Sequence, residues 1–70
     1  MIFKVTIEGK STTVDAVDVM DAAEIATSSA LKLPLDQVKW RRATRISSGV
    51  FEVRVRAGET LVVARVEKEE

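Results

Sequence analysis

Three groups of side chains in this 70-residue chain are of types that do chemistry in other settings: Gly9 to Thr13 (GKSTT), the acidic series Asp15, Asp18, Asp21 and Glu24, and Lys39 to Arg45 (KWRRATR). GKSTT ends like a phosphate-binding P-loop, in which GxxxxGK is followed by Ser or Thr and backbone N–H groups cradle the phosphates. The first glycine of that pattern would stand at position 4, which is Lys4, and no helical pattern opens after Ser11. A hairpin turn accounts for these residues better. Carboxylates spaced by three are also the residue type of a divalent-cation site. Nothing else in the sequence completes a coordination shell, and acidic residues in the first turns of a helix, beside the positive end of its dipole, have the same spacing.

KWRRATR holds four cations in seven residues of a chain whose formal net charge is zero. The neutrality conceals a division. Residues 1–36 carry three Lys against six Asp/Glu, residues 37–70 eight Lys/Arg against five Glu, and residues 39–56 alone six cations against one Glu. Asymmetry of this kind points to an anionic partner. The chain has neither Cys nor His, which excludes disulfides, thiolate zinc sites and the usual imidazole acid/base group. A Ser or Thr nucleophile would then need a lysine or carboxylate base, and no motif nominates one. The expectation is a non-enzymatic protein that carries no cofactor or metal.

The elements that position these groups follow from periodicity. Phe3, Val5 and Ile7 alternate with Lys4, Thr6 and Glu8, the period of a half-buried strand. A turn at Gly9 and Lys10 would set Ile7 opposite Thr12, Val5 opposite Val14 and Phe3 opposite Ala16. From Asp18 the period becomes helical: Val19, Ala22, Ala23, Ile25, Ala26, Ala30 and Leu33 share a face, Asp18 is an N-cap, and Pro34 stops the helix near Leu33. The many Ala contacts allow that helix to lie close to a sheet.

Two further hairpins follow, turning at Ser48–Gly49 and Gly58–Glu59. Their registers put Trp40, Thr44, Ile46, Phe51, Val53, Val55, Val62, Ala64 and Val66 on the core side. The other face then carries rows of Arg41, Arg56 and Leu61; of Ala43, Arg54 and Val63; and of Arg45, Glu52 and Arg65, with Lys39 at one end and Arg42 turned towards the core side. The fold class predicted is α+β, a ββαβββ chain with one helix packed on one face of an antiparallel sheet. Hairpins fix neighbours only, so the order of all five strands stays open. One domain spans 1–66, with a charged tail at 67–70.

The sequence therefore points to a small binding module whose open sheet face (Lys39, Arg41, Arg45, Arg54, Arg56, Leu61, Val63 and Arg65) engages an anionic partner. Nucleic acid leads by a narrow margin, with arginine forks on phosphates. The alternative is an acidic protein surface, or a second copy of the chain, with Leu61 and Val63 as the apolar centre. Trp40 lies beside the cations but is expected to face inward, away from any base-stacking role. The N-terminus alternates where a signal peptide is unbroken, and no segment reaches the roughly 20 apolar residues of a membrane span, so a cytoplasmic setting without membrane contact is expected.

Overall fold

The computed structural model describes residues 1–69. Its elements are β1 (Ile2–Ile7), β2 (Lys10–Asp15), α1 (Val19–Leu31), a 3-10 turn at Leu35–Gln37, β3 (Val38–Ser47), β4 (Val50–Ala57) and β5 (Thr60–Lys68). The strands form one antiparallel sheet in the order β2-β1-β5-β4-β3, with α1 packed against it, the α+β fold that the periodicity predicts. The order left open by the hairpins is thus set by α1. It carries the chain from one edge strand, β2, to the other, β3, so that β1 and β5 pair in the middle of the sheet.

α1 begins at Asp18, whose Oδ1 accepts from the Asp21 N–H at 2.8 Å, while Asp21 Oδ2 accepts from the Val17 N–H at 3.2 Å. Such a cap stabilises a helix by about 1 kcal/mol, which accounts for two members of the acidic series without a metal. At the other end Lys32 adopts a left-handed conformation (φ 57°), the N–H groups of Lys32 and Leu33 both reach the Ser28 carbonyl, and Pro34 follows.

Ala22, Ala23 and Ala26 are buried over a layer of Val5, Val38, Val53, Val55 and Val66, each wholly removed from solvent. Burying a valine contributes roughly 1.5–3 kcal/mol, so this layer supplies much of the folding energy of so small a domain. Small helix residues bring α1 close enough to seal it. Thr27 is also fully buried, and its Oγ1 has no hydrogen-bond partner among the described residues.

The first hairpin turns one residue earlier than expected, at Glu8–Gly9 instead of Gly9–Lys10. Both residues have positive φ (52° and 80°), the requirement of a type I′ turn, whose twist matches the flanking strands. Val5 consequently faces Thr12 and Phe3 faces Val14. The slip is two residues, so the apolar side chains keep their face. In the last hairpin Val62, Ala64 and Val66 face Val55, Val53 and Phe51 as expected.

The expected tail needs correction: β5 continues through Lys68, with Glu67 facing Lys4 and Lys68 facing Phe3. The Lys68 N–H donates to the Gly49 carbonyl at 3.1 Å and the Glu69 N–H to the Ile2 carbonyl at 3.0 Å. Backbone pairing on both sides holds residues whose charged side chains alone suggested a tail. Glu70, the end of the predicted tail, lies outside the described residues.

Two substitutions test this account by urea denaturation. Thr27→Val removes an unpaired buried hydroxyl at nearly constant shape and is expected to raise stability by about 1 kcal/mol. Glu8→Asn places the residue preferred for the first position of a type I′ turn and is expected to add about 0.5 kcal/mol, with no change in the denaturant slope.

Candidate polyanion interface on the open sheet face

β3 supplies half of the cations and is where the structure departs most from regular alternation. It leaves its hairpin as expected, with Ser47 facing Val50 across Ser48–Gly49. Register shifts then occur at Ile46 and again at Arg41. Each shift adds one unpaired residue to β3, and each reverses the face of every side chain beyond it.

The consequence between the two bulges is a reversal of the expected faces. Ala43 faces Val53 and packs against the core, whereas Thr44 faces Glu52 and is exposed. Ile46, expected inside, sits in a bulge and is 52% exposed. Arg42, expected on the core side, faces Arg54 on the open face. Arg45, expected on the open face, instead faces Phe51 and so belongs to the helix-covered side of the sheet, although it remains exposed at the strand's end. Past the second bulge the frame is restored. Trp40 faces Val55 and Lys39 faces Arg56.

The physical reason lies in the residues themselves. Val38 and Trp40 face the helix side at even positions and Ala43 at an odd one, so unbroken alternation from Trp40 would force Arg42 inward and Ala43 outward together. A one-residue bulge removes the conflict at the cost of one unpaired position, which is far less than desolvating a guanidinium. The parity clash between Val38-x-Trp40 and Ala43 was the available signal for Arg42.

The open face therefore reads, row by row, Lys39–Arg56–Leu61, then Arg42–Arg54–Val63, then Thr44–Glu52–Arg65–Thr6. Arg41, extra in its bulge, joins Arg42, Arg54, Arg56, Glu59 and Leu61 around a shallow depression of about 490 Å³. Adjacent residues of a strand ordinarily point to opposite faces. Here the bulge lets Arg41 and Arg42 line the same hollow.

Of the predicted residues, Lys39, Arg41, Arg54, Arg56, Leu61 and Val63 thus stand together at the Gly58 end of the face. Arg65 lies one row away beside Glu52, and Arg45 is elsewhere. Arg42 and Glu59 are the members that alternation did not supply.

Arg56 is oriented by its own turn, its Nε donating to the Gly58 carbonyl at 3.2 Å. Among the described residues the single ion pair joins the Met1 amine to Asp15 at 3.1 Å, on the far edge of the sheet. The arginines are therefore not compensated by ion pairs. Arg42 and Arg54 sit directly opposite each other, an arrangement that is unfavourable between like charges. Leu61, 71% exposed, and Val63, 50% exposed, stand among them.

Trp40 is 44% exposed at the β3 edge on the other side of the sheet, and its backbone N–H donates to Glu24 Oε2 at 2.9 Å. Phe3 is buried and Phe51 packs against the core, so no aromatic stands on the open face.

Comparison with family models, with curated proteins and with solved structures finds no match to this chain. Among the described residues no group of His, Cys, Asp or Glu is arranged to hold a metal ion, and no helix is long and apolar enough to cross a membrane.

The uncompensated cluster has a measurable effect on folding. Arg54→Thr is expected to raise the urea midpoint at low ionic strength, because it removes the central cation of the group. The gain should vanish as salt screens the remaining charges. A gain that persists in high salt would assign the effect to strand propensity rather than charge.

Proposed function

We propose that this protein is a non-catalytic binding module that engages nucleic acid through the cationic end of its open sheet face. The observation carrying this reading is the hollow in which Arg41, Arg42, Arg54 and Arg56 converge without ion-pair partners among the described residues, with Lys39 beside them in the same row as Arg56. Arginines clustered against their mutual repulsion are suited to a ligand that brings several negative charges at regular spacing. Each guanidinium can fork onto a phosphate. Because the face has no aromatic and no helix projects from it, contacts would fall on the sugar–phosphate backbone and carry little base specificity.

Counterion release makes this quantitative. Neutralising three to five phosphates would give a slope of log K against log salt between about −2.7 and −4.5 for duplex, and about four-fifths of that for single strands. Arg42→Glu and Arg54→Glu should each nearly abolish oligonucleotide binding measured by fluorescence anisotropy. Arg45→Glu changes net charge equally but lies on the other side of the sheet and should leave most of the affinity. Equal losses in all three would replace a site with a general charge effect, and undiminished binding by Arg42→Glu and Arg54→Glu would reject the face.

The exposure of Leu61 and Val63 favours a second reading, an acidic protein surface that covers this apolar pair while meeting the arginines at its rim. Under that reading Leu61→Asp is the most damaging single change and salt dependence is shallow. Under the nucleic-acid reading Leu61→Asp weakens binding only as one added negative charge would. Neither partner requires a membrane or a cofactor.

A further inference from the structure

We propose that the β2 edge of the sheet is a self-association surface, on which a second copy of this chain adds its own β2 antiparallel about a twofold axis at Thr13. The surface lies at the opposite edge from the arginines and is independent of what they bind.

The sheet's two edges are treated differently. β3 carries two bulges, and Glu24 occupies the backbone N–H of Trp40, devices that keep an edge from pairing with another chain. β2 has none of them. Its six residues KSTTVD run in unbroken register with β1, contain no proline, and are uncharged from Ser11 to Val14. Ser11, Thr12 and Thr13 are exposed. Of its two terminal charges, Asp15 is already paired with the Met1 amine.

The hydrogen-bonding capacity of this edge follows from the hairpin. A two-residue turn makes Ile7 and Lys10 a hydrogen-bonded pair, and pairs alternate from there. The Ala16 N–H donating to the Met1 carbonyl at 2.8 Å keeps the same alternation at the far end. Lys10, Thr12 and Val14 are thus committed to β1, and the peptide groups of Ser11, Thr13 and Asp15 point outward.

A twofold axis perpendicular to a sheet sets residues of equal parity opposite one another. Placing Thr13 against its symmetry mate uses all three outward residues, pairing Ser11 with Asp15, Thr13 with Thr13 and Asp15 with Ser11. On the helix side the same register opposes Thr12 and Val14, two β-branched residues of the kind that stabilise cross-strand pairs. Each Lys10 then faces Ala16 of the other copy, so no like charges meet. Centring the axis on Thr12 instead leaves only two outward residues engaged. A strand that complements itself in one register, without charge conflict, identifies the occupant as another β2.

A second feature supports the same occupant. A groove of about 240 Å³ lies between α1 and the first hairpin, bordered by Ile7, Thr12, Ala26, Ala30 and Leu31 among others. Leu31 is 41% exposed at its rim. An added β2 would bring Val14 and Ala16 of the second copy, which face Thr12 and Lys10, alongside this unfilled space.

The test uses the intact chain, which has no cysteine of its own. Sedimentation equilibrium should find a dimer, and Thr13→Lys, which sets two lysines across the axis, should be monomeric with unchanged circular dichroism. Thr13→Cys should oxidise readily to a linked dimer, since directly opposed residues are about 5.5 Å apart. Thr12→Cys, diagonally offset from its mate by roughly 7–8 Å, should not. A chain that stays monomeric to about 1 mM overturns the proposal. So does a dimer unaffected by Thr13→Lys, or one linked equally well through Thr12→Cys. Binding of an extended peptide along β2 by a chain that does not itself dimerise would likewise assign the edge to a foreign strand and reject the second copy.

Discussion

One helix must cover five strands. The described residues lie mostly on strands and include a single α-helix, and α1 seals one face of the sheet only by lying close to it on Ala22, Ala23 and Ala26. Larger residues at those positions would lift the helix and admit water to the valine layer. The other face has no cover, so its composition is set by solvent and by whatever else it meets. The division into a dry valine side and a wet arginine side is therefore a consequence of the ratio of helix to sheet.

Within that constraint β3 has to reconcile two demands. Its inward residues, Val38, Trp40 and Ala43, do not share a parity, and its cations cannot go beneath the helix. The bulge at Arg41 satisfies both and leaves two consecutive arginines lining one hollow with Arg54 and Arg56. The same bulges disorder the outer edge of the sheet for pairing, so the strand that gathers the charge is also the less sociable of the two edges.

The parts of this fold that were legible in the sequence share a physical character. Helix boundaries at Asp18 and before Pro34, and the turns at Ser48–Gly49 and Gly58–Glu59, are written in local chemistry: a side-chain acceptor, a missing N–H, a glycine with positive φ. The first hairpin shows where such reading loses resolution. Turns at Glu8–Gly9 and Gly9–Lys10 differ by an even slip, so both bury Phe3, Val5 and Ile7, and hydrophobic pattern cannot choose between them. β3 shows the opposite case. An odd slip moves whole side chains across the sheet, which is why Arg42 and Arg45 exchanged faces while Arg54, Arg56 and Leu61, on unbulged strands, stayed where alternation put them. The order of the strands was never in the local signal, because it is fixed by how α1 spans the sheet.

The seam between β1 and β5 joins opposite ends of the described chain, as the bond from the Glu69 N–H to the Ile2 carbonyl illustrates. During synthesis α1 is made before β4 and β5, the central floor on which it will rest, have left the ribosome. Until they do, the alanine stripe has only the narrow first hairpin beneath it, and two short strands cannot sustain such a structure alone. Folding is in this sense a closing event, in which β5 inserts between β4, made just before it, and β1, made at the other end of the described residues.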